Sequence, residues 1–163
     1  MRSAPATSDL CDAFPDRVIV AEPLLRDWGG ASRFAGPIET LRVFEDNALL
    51  RQALESEGLG RVLVVDGGGS LRTALVGGRL ARLARDNGWS GIVVNGCVRD
   101  AAELAAMPVG VKALNTSPMK SARAGRGERG VPVTFAGVTF TPGHWLYSDA
   151  DGVLLAASEL VLA

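Results

Sequence analysis

The sequence predicts an α/β fold built around a mixed sheet, and three observations support that prediction. Residues 61–66 and 91–95 contain continuous apolar runs, which are typical of strands covered on both faces. Helical patterns separate and follow these runs, so the middle of the chain has β-α-β character. From residue 131 onward, short strands alternate with turn residues, which indicates antiparallel pairing. With 163 residues, the whole chain (1–163) has the usual length of one domain.

The first elements are short and rest on local signals. Thr7 or Ser8 can cap a short helix that Pro15 ends. Residues 18–20 are apolar and β-branched or small, which predicts a strand. Residues 27–37 are rich in glycine and polar side chains, so we expect a loop there.

The next stretch predicts a strand, a helix and a second strand–helix pair. Residues 38–44 alternate apolar and polar side chains as a half-buried strand does. Asp46 is a candidate cap for a helix over residues 47–57. After the strand at 61–66, the glycine loop 67–70 is expected to lead into a helix over 71–75.

The remaining elements follow the same reasoning. Pro108 ends the second of two further helices, and Ala136-Gly137 and Asp151-Gly152 mark tight turns. Helices are expected over 79–87 and 99–107, strands over 91–95, 109–114, 131–135, 138–141, 145–147 and 153–156, and a polar connection over 115–130.

Composition excludes several classes of function. The formal charge of −1 argues against nucleic acid as a direct partner, because phosphate-backbone binders carry a basic excess. The basic residues between 120 and 129 alternate with glycine, which favours a solvated loop. The two cysteines, Cys11 and Cys97, lack metal-binding spacing and are expected to be buried free thiols. Residues 1–25 show no signal peptide, and no apolar run is long enough to cross a membrane, so we expect a cytoplasmic protein.

The glycine loop 67–70 does not match a nucleotide-binding motif. A P-loop ends in Lys-Ser or Lys-Thr, and Leu71-Arg72 follows here. The third glycine of a dinucleotide fingerprint would fall at Arg72. Methyl transfer from S-adenosylmethionine is rejected on the same ground. A tight turn after a strand explains the loop.

Gly77-Gly78 predicts an anion site. Two glycines break an apolar helical pattern, so a new helix begins at Arg79-Leu80. The first amides of a helix have no intrahelical acceptor, and together with the helix dipole they attract a carboxylate or phosphate. A kink that permits close packing is the alternative.

Arg99, Asp100 and Glu103 follow the next buried strand. Ligands of open α/β sheets bind at the carboxyl ends of strands. Arg99 offers a planar fork for a carboxylate, and Asp100 offers a hard oxygen ligand for Mg²⁺ or Mn²⁺. Glu103 lies on the same helical face as Asp100. From their spacing alone, these residues could equally form surface salt bridges at the start of a helix, where acidic side chains are common.

Six segments of the chain resemble the RraA family, which contains regulators of ribonuclease E activity and 4-hydroxy-4-methyl-2-oxoglutarate aldolases. The resemblance covers most of the chain and implies a swivelling β/β/α-type fold in a ring-shaped homotrimer, with sites near subunit boundaries. The segments are Glu45-Asp46-Asn47, Val64-Val65-Asp66-Gly67-Gly68-Gly69-Ser70, Gly91-Ile92-Val93-Val94, Gly96-x-Val98-Arg99-Asp100, Gly137-Val138-Thr139-Phe140 and Leu146-Tyr147-x-Asp149.

The resemblance also implies roles for the candidate residues. Aldolases of the family carry a glycine, twenty residues, and then Arg-Asp-x-x-Glu/Asp, which Gly78, Arg99, Asp100 and Glu103 match. Asp100 would then bind a divalent metal, Mg²⁺ or Mn²⁺, and Arg99 a substrate carboxylate. Glu103 would act through water. Arg79 departs from the family, whose aldolases usually carry an acidic residue there.

The backbone at Gly77, Gly78, Arg79 and Leu80 would, by the same resemblance, complete a pocket for a small 2-oxo acid. The implied activity is metal-dependent cleavage of 4-hydroxy-4-methyl-2-oxoglutarate to pyruvate, with decarboxylation of oxaloacetate. No lysine imine is needed. The alternative is a regulator without catalysis that binds ribonuclease E or an RNA helicase.

Overall fold

Buried strands and short helices alternate through the structure, a computed structural model that describes residues 3–163. The four helices of this part of the chain are α1 (Thr7–Ala13), α2 (Ala48–Glu55), α3 (Gly78–Asp86) and α4 (Ala101–Ala105). The strands are β1 (Ile19–Val20), β2 (Arg26–Asp27), β3 (Phe34–Arg42), β4 (Val62–Asp66), β5 (Ala74–Val76), β6 (Gly91–Val98), β7 (Gly110–Thr116), β8 (Glu128–Arg129), β9 (Val133–Phe135), β10 (Val138–Phe140), β11 (Trp145–Asp149) and β12 (Gly152–Ala156).

One large mixed sheet organises the fold, in the order β1-β12-β11-β3-β4-β6-β7-β2. Its centre, β3-β4-β6-β7, is parallel, and the flanking strands pair antiparallel. Strand β5 adds to β6 in parallel, β8 adds to β3 antiparallel, and β9-β10 form a separate hairpin. This arrangement confirms the predicted α/β class with a mixed sheet.

Both faces of the parallel strands are buried, as their continuous apolar runs predict. Leu63, Val65 and Ile92 pack on the helical side, against residues of α2 and α3. Val64 and Val93 face the other side, where the antiparallel strands and the hairpin cover them. Each such side chain contributes about 1.5–3 kcal/mol when fully buried, so these strands position the loops at their ends firmly.

The expected loop over 27–37 is wrong at both ends. Strand β2 includes Asp27, and β3 begins at Phe34, four residues earlier than the predicted strand at 38. Gly36 adds to the loop-like composition of this segment although it lies within β3, where a Cβ would collide with the backbone carbonyl of Gly60. The glycine permits a close approach between two backbones rather than a turn.

The expected helix over 71–75 is also wrong. Residues Ala74–Val76 form β5, and all three are buried against the sheet, whereas Leu71 is 60% exposed. Periodicity cannot distinguish three consecutive buried residues from one apolar face of a helix. The positive φ of Gly68 and Gly69 confirms the tight turn before this segment.

Most other elements are confirmed, with shifted ends. Helix α3 and strands β4, β6, β7 and β9 to β12 lie where they are expected. Asp46 accepts a hydrogen bond from the Ala48 amide at 3.1 Å, as a cap of α2 would. Thr7 does not cap α1, because its hydroxyl donates to Asp149 at 2.7 Å instead. In the described part of the chain, none of the helices is both long and apolar enough to cross a membrane.

Candidate functional site

The parallel pairing of β5 with β6 builds the candidate site. Ala74 pairs with Cys97 and Val76 with Val98, so the residues that follow the two strands meet at one edge of the sheet. The Arg99 amide donates to the Val76 carbonyl at 2.8 Å, which continues the pairing past the strand ends. The structure therefore brings the two predicted segments, 77–80 and 99–103, together.

Asp100 lies directly against the start of α3. Its Oδ2 accepts a hydrogen bond from the Gly78 amide at 2.9 Å. A Cβ on Gly77 would lie only 2.8 Å from the same oxygen, so a side chain there would displace the carboxylate. Asp100 itself has φ 60° and ψ 45°, a left-handed conformation that is uncommon for residues other than glycine. Such strain of about 1–3 kcal/mol is often found at functional sites.

Glu103 reaches from α4 back to α3, where it forms an ion pair with Arg82. A Cβ on Gly78 would collide with the Glu103 carboxyl group, so the second glycine also makes room for an acidic side chain. Because Arg82 occupies Glu103, the structure does not offer Glu103 and Asp100 as a matched pair of free carboxylates.

The start of α3 is the predicted anion site, and the structure shows that it is partly used. Asp100 already accepts the Gly78 amide. The amides of Arg79 and Leu80 have no acceptor within residues 3–163. Both residues line a cleft beside the start of α3.

A cleft of about 520 Å³ opens beside these residues. Its lining includes all the predicted site residues except Glu103, and it adds residues of α2 and of the polar connection. The lining residues are Asn47, Ala48, Arg51, Gln52, Glu55, Ala74, Gly77, Gly78, Arg79, Leu80, Arg99, Asp100, Lys120, Ser121 and Arg123.

The cleft is strongly cationic. Five of its lining side chains are Arg or Lys, and two are Asp or Glu. Arg51 is neutralised by Glu55 at 2.8 Å. In the described part of the chain, Arg79, Arg99, Lys120 and Arg123 form no ion pair. This surplus of positive charge favours a ligand with more than one negative group.

Sequence reasoning missed the cleft residues of α2, and it missed Lys120, Ser121 and Arg123 because the basic stretch was interpreted as a solvated loop. The segment is instead tied to the site by two parallel bridges, Ala74 with Lys120 and Asp46 with Ala122. Ser121 is buried and its hydroxyl donates to the Ala74 carbonyl at 2.7 Å. No local sequence signal indicates these contacts, since they join residues more than 40 positions apart.

The residues fit a divalent cation bound by one protein carboxylate. Within residues 3–163, no three His, Cys, Asp or Glu side chains lie close enough to hold a metal together. Asp100 is exposed, and its Oδ1 accepts no hydrogen bond from these residues. Mg²⁺ usually retains several waters and binds one or two carboxylates together with the substrate. A single free carboxylate oxygen at the cleft meets that requirement.

The other motifs of the sequence do not form a second site. In the 67–70 loop, the Gly68 amide donates to Asp66 and the Gly69 amide to the Asn95 carbonyl, at 2.9 and 3.1 Å. These internal bonds use amides that a phosphate cradle would need. The expected free thiols are confirmed, with Cys97 buried and Cys11 only partly so. Burial raises the pKa of Cys97, which makes it a poor nucleophile.

Comparisons with known proteins agree with this geometry. Residues 7–155 match the family model described as RraA-like, Aldolase/RraA. A protein of Burkholderia multivorans, provisionally named 4-hydroxy-4-methyl-2-oxoglutarate aldolase, is 61% identical over 160 residues. The alignment covers 95% of this chain and 98% of that protein.

Two solved structures share the fold at 50% sequence identity. The RNA-processing inhibitor RraA from Thermus thermophilis superposes with a TM-score of 0.92, covering 99% of this chain and 96% of that one. An S-adenosylmethionine:2-dimethylmenaquinone methyltransferase from Geobacillus kaustophilus gives a TM-score of 0.94, covering 96% and 97%. Proteins with three different names thus share this architecture, and the site residues must decide between functions.

Proposed function

Because the chain belongs to the RraA-like (Aldolase/RraA) family, we propose that it is a lyase that cleaves 4-hydroxy-4-methyl-2-oxoglutarate to pyruvate. We further propose that the reaction depends on Mg²⁺ or Mn²⁺ and that oxaloacetate is decarboxylated at the same site. The observation that carries the proposal is the Asp100 carboxylate, held against the α3 amides at the mouth of a cationic cleft.

Asp100 has the geometry of the metal-holding residue. Its Oδ2 is fixed by the Gly78 amide, which leaves Oδ1 for a cation. When bound, the divalent cation supplies positive charge beside the 2-oxo group, where negative charge develops as the carbon–carbon bond breaks. Because the carboxylate is held before any ligand arrives, little reorganisation is needed during the reaction.

Different cationic side chains are suited to the two carboxylates of the substrate. The Arg99 guanidinium and the free amides of Arg79 and Leu80 suit the carboxylate next to the 2-oxo group. Lys120 and Arg123, on another wall of the cleft, suit the distal carboxylate. The two named substrates carry a carboxylate at each end, which matches four unpaired cationic side chains.

In both substrates the C3–C4 bond breaks and its electrons move to the same 2-oxo group. In the aldol cleavage, the 4-hydroxyl loses its proton and the C3–C4 bond breaks. The bonding electrons move toward C3 and the 2-oxo oxygen, and C3 then gains a proton, which gives two molecules of pyruvate. In oxaloacetate the C3–C4 bond breaks and the distal carboxylate leaves as CO₂, the bonding electrons move toward C3 and the 2-oxo oxygen, and C3 then gains a proton, which gives one molecule of pyruvate.

An assay of pyruvate release tests the proposal. We expect release from both substrates with Mg²⁺ or Mn²⁺, and loss of release on addition of a chelator. Asp100→Ala should lower kcat at least about a hundredfold, because the loss removes a contact that matters in the transition state. The matched control is Asp86→Ala, which removes an exposed aspartate from the far end of α3. Equal rates in the Asp100 variant and the wild type would refute the proposal.

A second candidate function rests on the match to the RNA-processing inhibitor RraA. In that case the chain would bind ribonuclease E or an RNA helicase and need no chemistry at Asp100. Capture of the purified ribonuclease scaffold or helicase by wild type and Asp100→Ala alike would support it. Absence of any association would count against it.

A homotrimer is proposed for either function. Light scattering should then give three times the chain mass of 17.0 kDa. A monomer at that mass would contradict the proposed ring and the placement of sites near subunit boundaries.

A further inference from the structure

Asp46 is the most enclosed carboxylate outside the sites already described. Its side chain is 2% exposed, and it has no cationic partner within residues 3–163. It accepts four backbone amides instead, from Ala48 at 3.1 Å, Ala124 at 2.9 Å, Gly125 at 3.2 Å and Arg126 at 3.3 Å. A buried charge is tolerated only when it is compensated in this way.

Three of these amides belong to a distant segment, residues 120–126, which we call the basic loop. The loop is further tied to the start of α2 by backbone hydrogen bonds. The Asn47 amide donates to the Ala122 carbonyl at 3.0 Å, and the Ala122 amide donates to the Glu45 carbonyl at 2.9 Å. Asp46 is therefore the centre of a clamp between two walls of the cleft.

Both clamped segments line the cleft. Asn47, Ala48 and Arg51 form its α2 wall, and Lys120 and Arg123 project from the basic loop. The loop has little packing of its own, since residues 122–130 are all exposed. The Ala122 backbone bonds and the buried Ser121 hydroxyl hold the start of the loop, and the Asp46 carboxylate holds residues 124–126, so Arg123 lies between two anchored segments.

We propose that Asp46 is a positioning residue for substrate binding, which holds the basic loop so that Lys120 and Arg123 face the distal carboxylate of the substrate. This inference rests on the proposed lyase function for its kinetic part. Asp46 itself does not touch the substrate, because both of its oxygens are occupied by backbone amides.

The kinetic signature follows from where the loop lies. In 4-hydroxy-4-methyl-2-oxoglutarate, Lys120 and Arg123 grip the C5 carboxylate, which keeps its charge during the aldol cleavage, so they stabilise the ground state and the transition state equally. Loss of such uniform binding raises KM and leaves kcat unchanged. A defect at Asp100 has the opposite signature, because it removes stabilisation that the transition state requires.

The test is Asp46→Asn, which keeps the shape of the side chain and removes its charge. We expect KM for 4-hydroxy-4-methyl-2-oxoglutarate to rise about tenfold with kcat within about twofold, the effect of losing one charge-assisted contact. We also expect tryptic cleavage after Lys120, Arg123 or Arg126 to accelerate about fivefold or more, because the loop opens locally. Cleavage is read by mass spectrometry and needs no activity.

The matched control is Asp149→Asn. Asp149 is also a buried carboxylate that accepts backbone amides, from Thr7 at 2.8 Å and Asp151 at 3.0 Å, but it does not line the cleft. Its variant should lose thermal stability without any change in KM or in cleavage of the basic loop. If Asp46→Asn behaves in the same way as this control, Asp46 is merely structural and the proposal is overturned.

A double-mutant cycle shows whether Asp46 acts through the loop. Replacing Lys120 and Arg123 by Ala should itself raise KM, and adding Asp46→Asn should raise it no further. Fully additive effects would overturn the proposal. If Asp46→Asn does not fold, Ala124→Pro removes one of the clamping amides and should give the same shift in KM and proteolysis. If the wild type releases no pyruvate, the lyase function has failed, and the tryptic rates still decide whether Asp46 holds the loop.

Discussion

Gly77→Ala is the sharpest test of the site geometry, because it adds one methyl group and removes no functional group. The new Cβ would lie 2.8 Å from Asp100 Oδ2 and 3.2 Å from Arg99 Cγ, whereas ordinary contacts begin at 3.4 Å. The carboxylate must therefore move by about 0.6 Å. Since φ of Gly77 is −133°, alanine adopts this backbone without strain, and the effect is confined to the contact.

The expected loss follows from the hydrogen bond that the displacement stretches. Oδ2 accepts the Gly78 amide at 2.9 Å, and a shift of the required size takes that bond beyond useful length. A hydrogen bond to a charged group contributes about 1.5–3 kcal/mol, so kcat should fall between about tenfold and a hundredfold. Stability should change by less than about 1 kcal/mol, because the loss at the helix start opposes the gain from a stiffer unfolded chain.

The assay is pyruvate release from oxaloacetate with saturating Mg²⁺, together with Mn²⁺ affinity measured by electron paramagnetic resonance. Gly96→Ala is the matched control, because its Cβ would meet Leu75 and Val94 at 3.4 and 3.5 Å, which are ordinary contacts. The control should retain full activity and Mn²⁺ affinity. A folded Gly77→Ala protein that keeps more than half of the wild-type kcat and Mn²⁺ affinity would refute the role assigned to the position of Asp100.

Two further predictions concern buried charges away from the cleft. Lys112, 2% exposed, donates to the Asp149 carbonyl at 2.8 Å and pairs with Asp27 at 3.3 Å, so Lys112→Met should cost about 3 kcal/mol of unfolding free energy in urea. Burial raises the pKa of Asp27 despite this lysine, so the Asp27 carboxylate is costly once Lys112 is gone. Adding Asp27→Asn to Lys112→Met should therefore recover part of the lost unfolding free energy. Equal urea midpoints for the Lys112 variant and the double variant would contradict the pairing. Burial acts to raise the pKa of Asp149, but hydrogen bonds from Thr7 and Asp151 outweigh it, so the pKa lies below its ordinary value of 3.8. Its contribution to stability is therefore present above that value and is lost as pH falls through the folded pKa. Asp149→Asn should accordingly reduce the fall of the urea unfolding midpoint between neutral and acidic pH. An unchanged fall would show that other groups control the acid dependence.

Sequence patterns predicted both halves of the site, each from a different local signal. Arg99-Asp100 follows a strand that was predicted, whereas Gly77-Gly78 was predicted as a break between two helices, although the structure places strand β5 before it and pairs that strand with β6. The amides of a helix start could be inferred as well, because every helix leaves its first donors without partners. What could not be inferred is that Asp100 uses one of those donors itself, since this depends on its left-handed backbone conformation.

The basic loop could not be predicted because its position depends on contacts between distant residues. Lys120 and Arg123 look solvated in sequence, with glycines and charges around them. Their placement depends on Asp46. The sequence indicates this residue only as a cap of α2, where it accepts the amide of Ala48 two residues away. It gives no sign that the same carboxylate also binds amides 78 to 80 positions away. Local patterns indicate which groups are polar, and the tertiary contacts determine which of them converge.

The wrong helix over 71–75 shows how strongly the site depends on strand β5. Had Ala74 and Leu75 formed one face of a helix, Gly77 would have been displaced from β6, and no backbone bond would join Arg99 to Val76. As a strand, the three buried residues Ala74–Val76 fix Gly77 within contact of Asp100, and α3 then begins with its free amides toward the cleft. The left-handed conformation of Asp100 directs its carboxylate to the Gly78 amide across this contact. A short strand that propensity does not favour is thus the element on which the proposed chemistry depends, since it sets the distance between the carboxylate and the helix start.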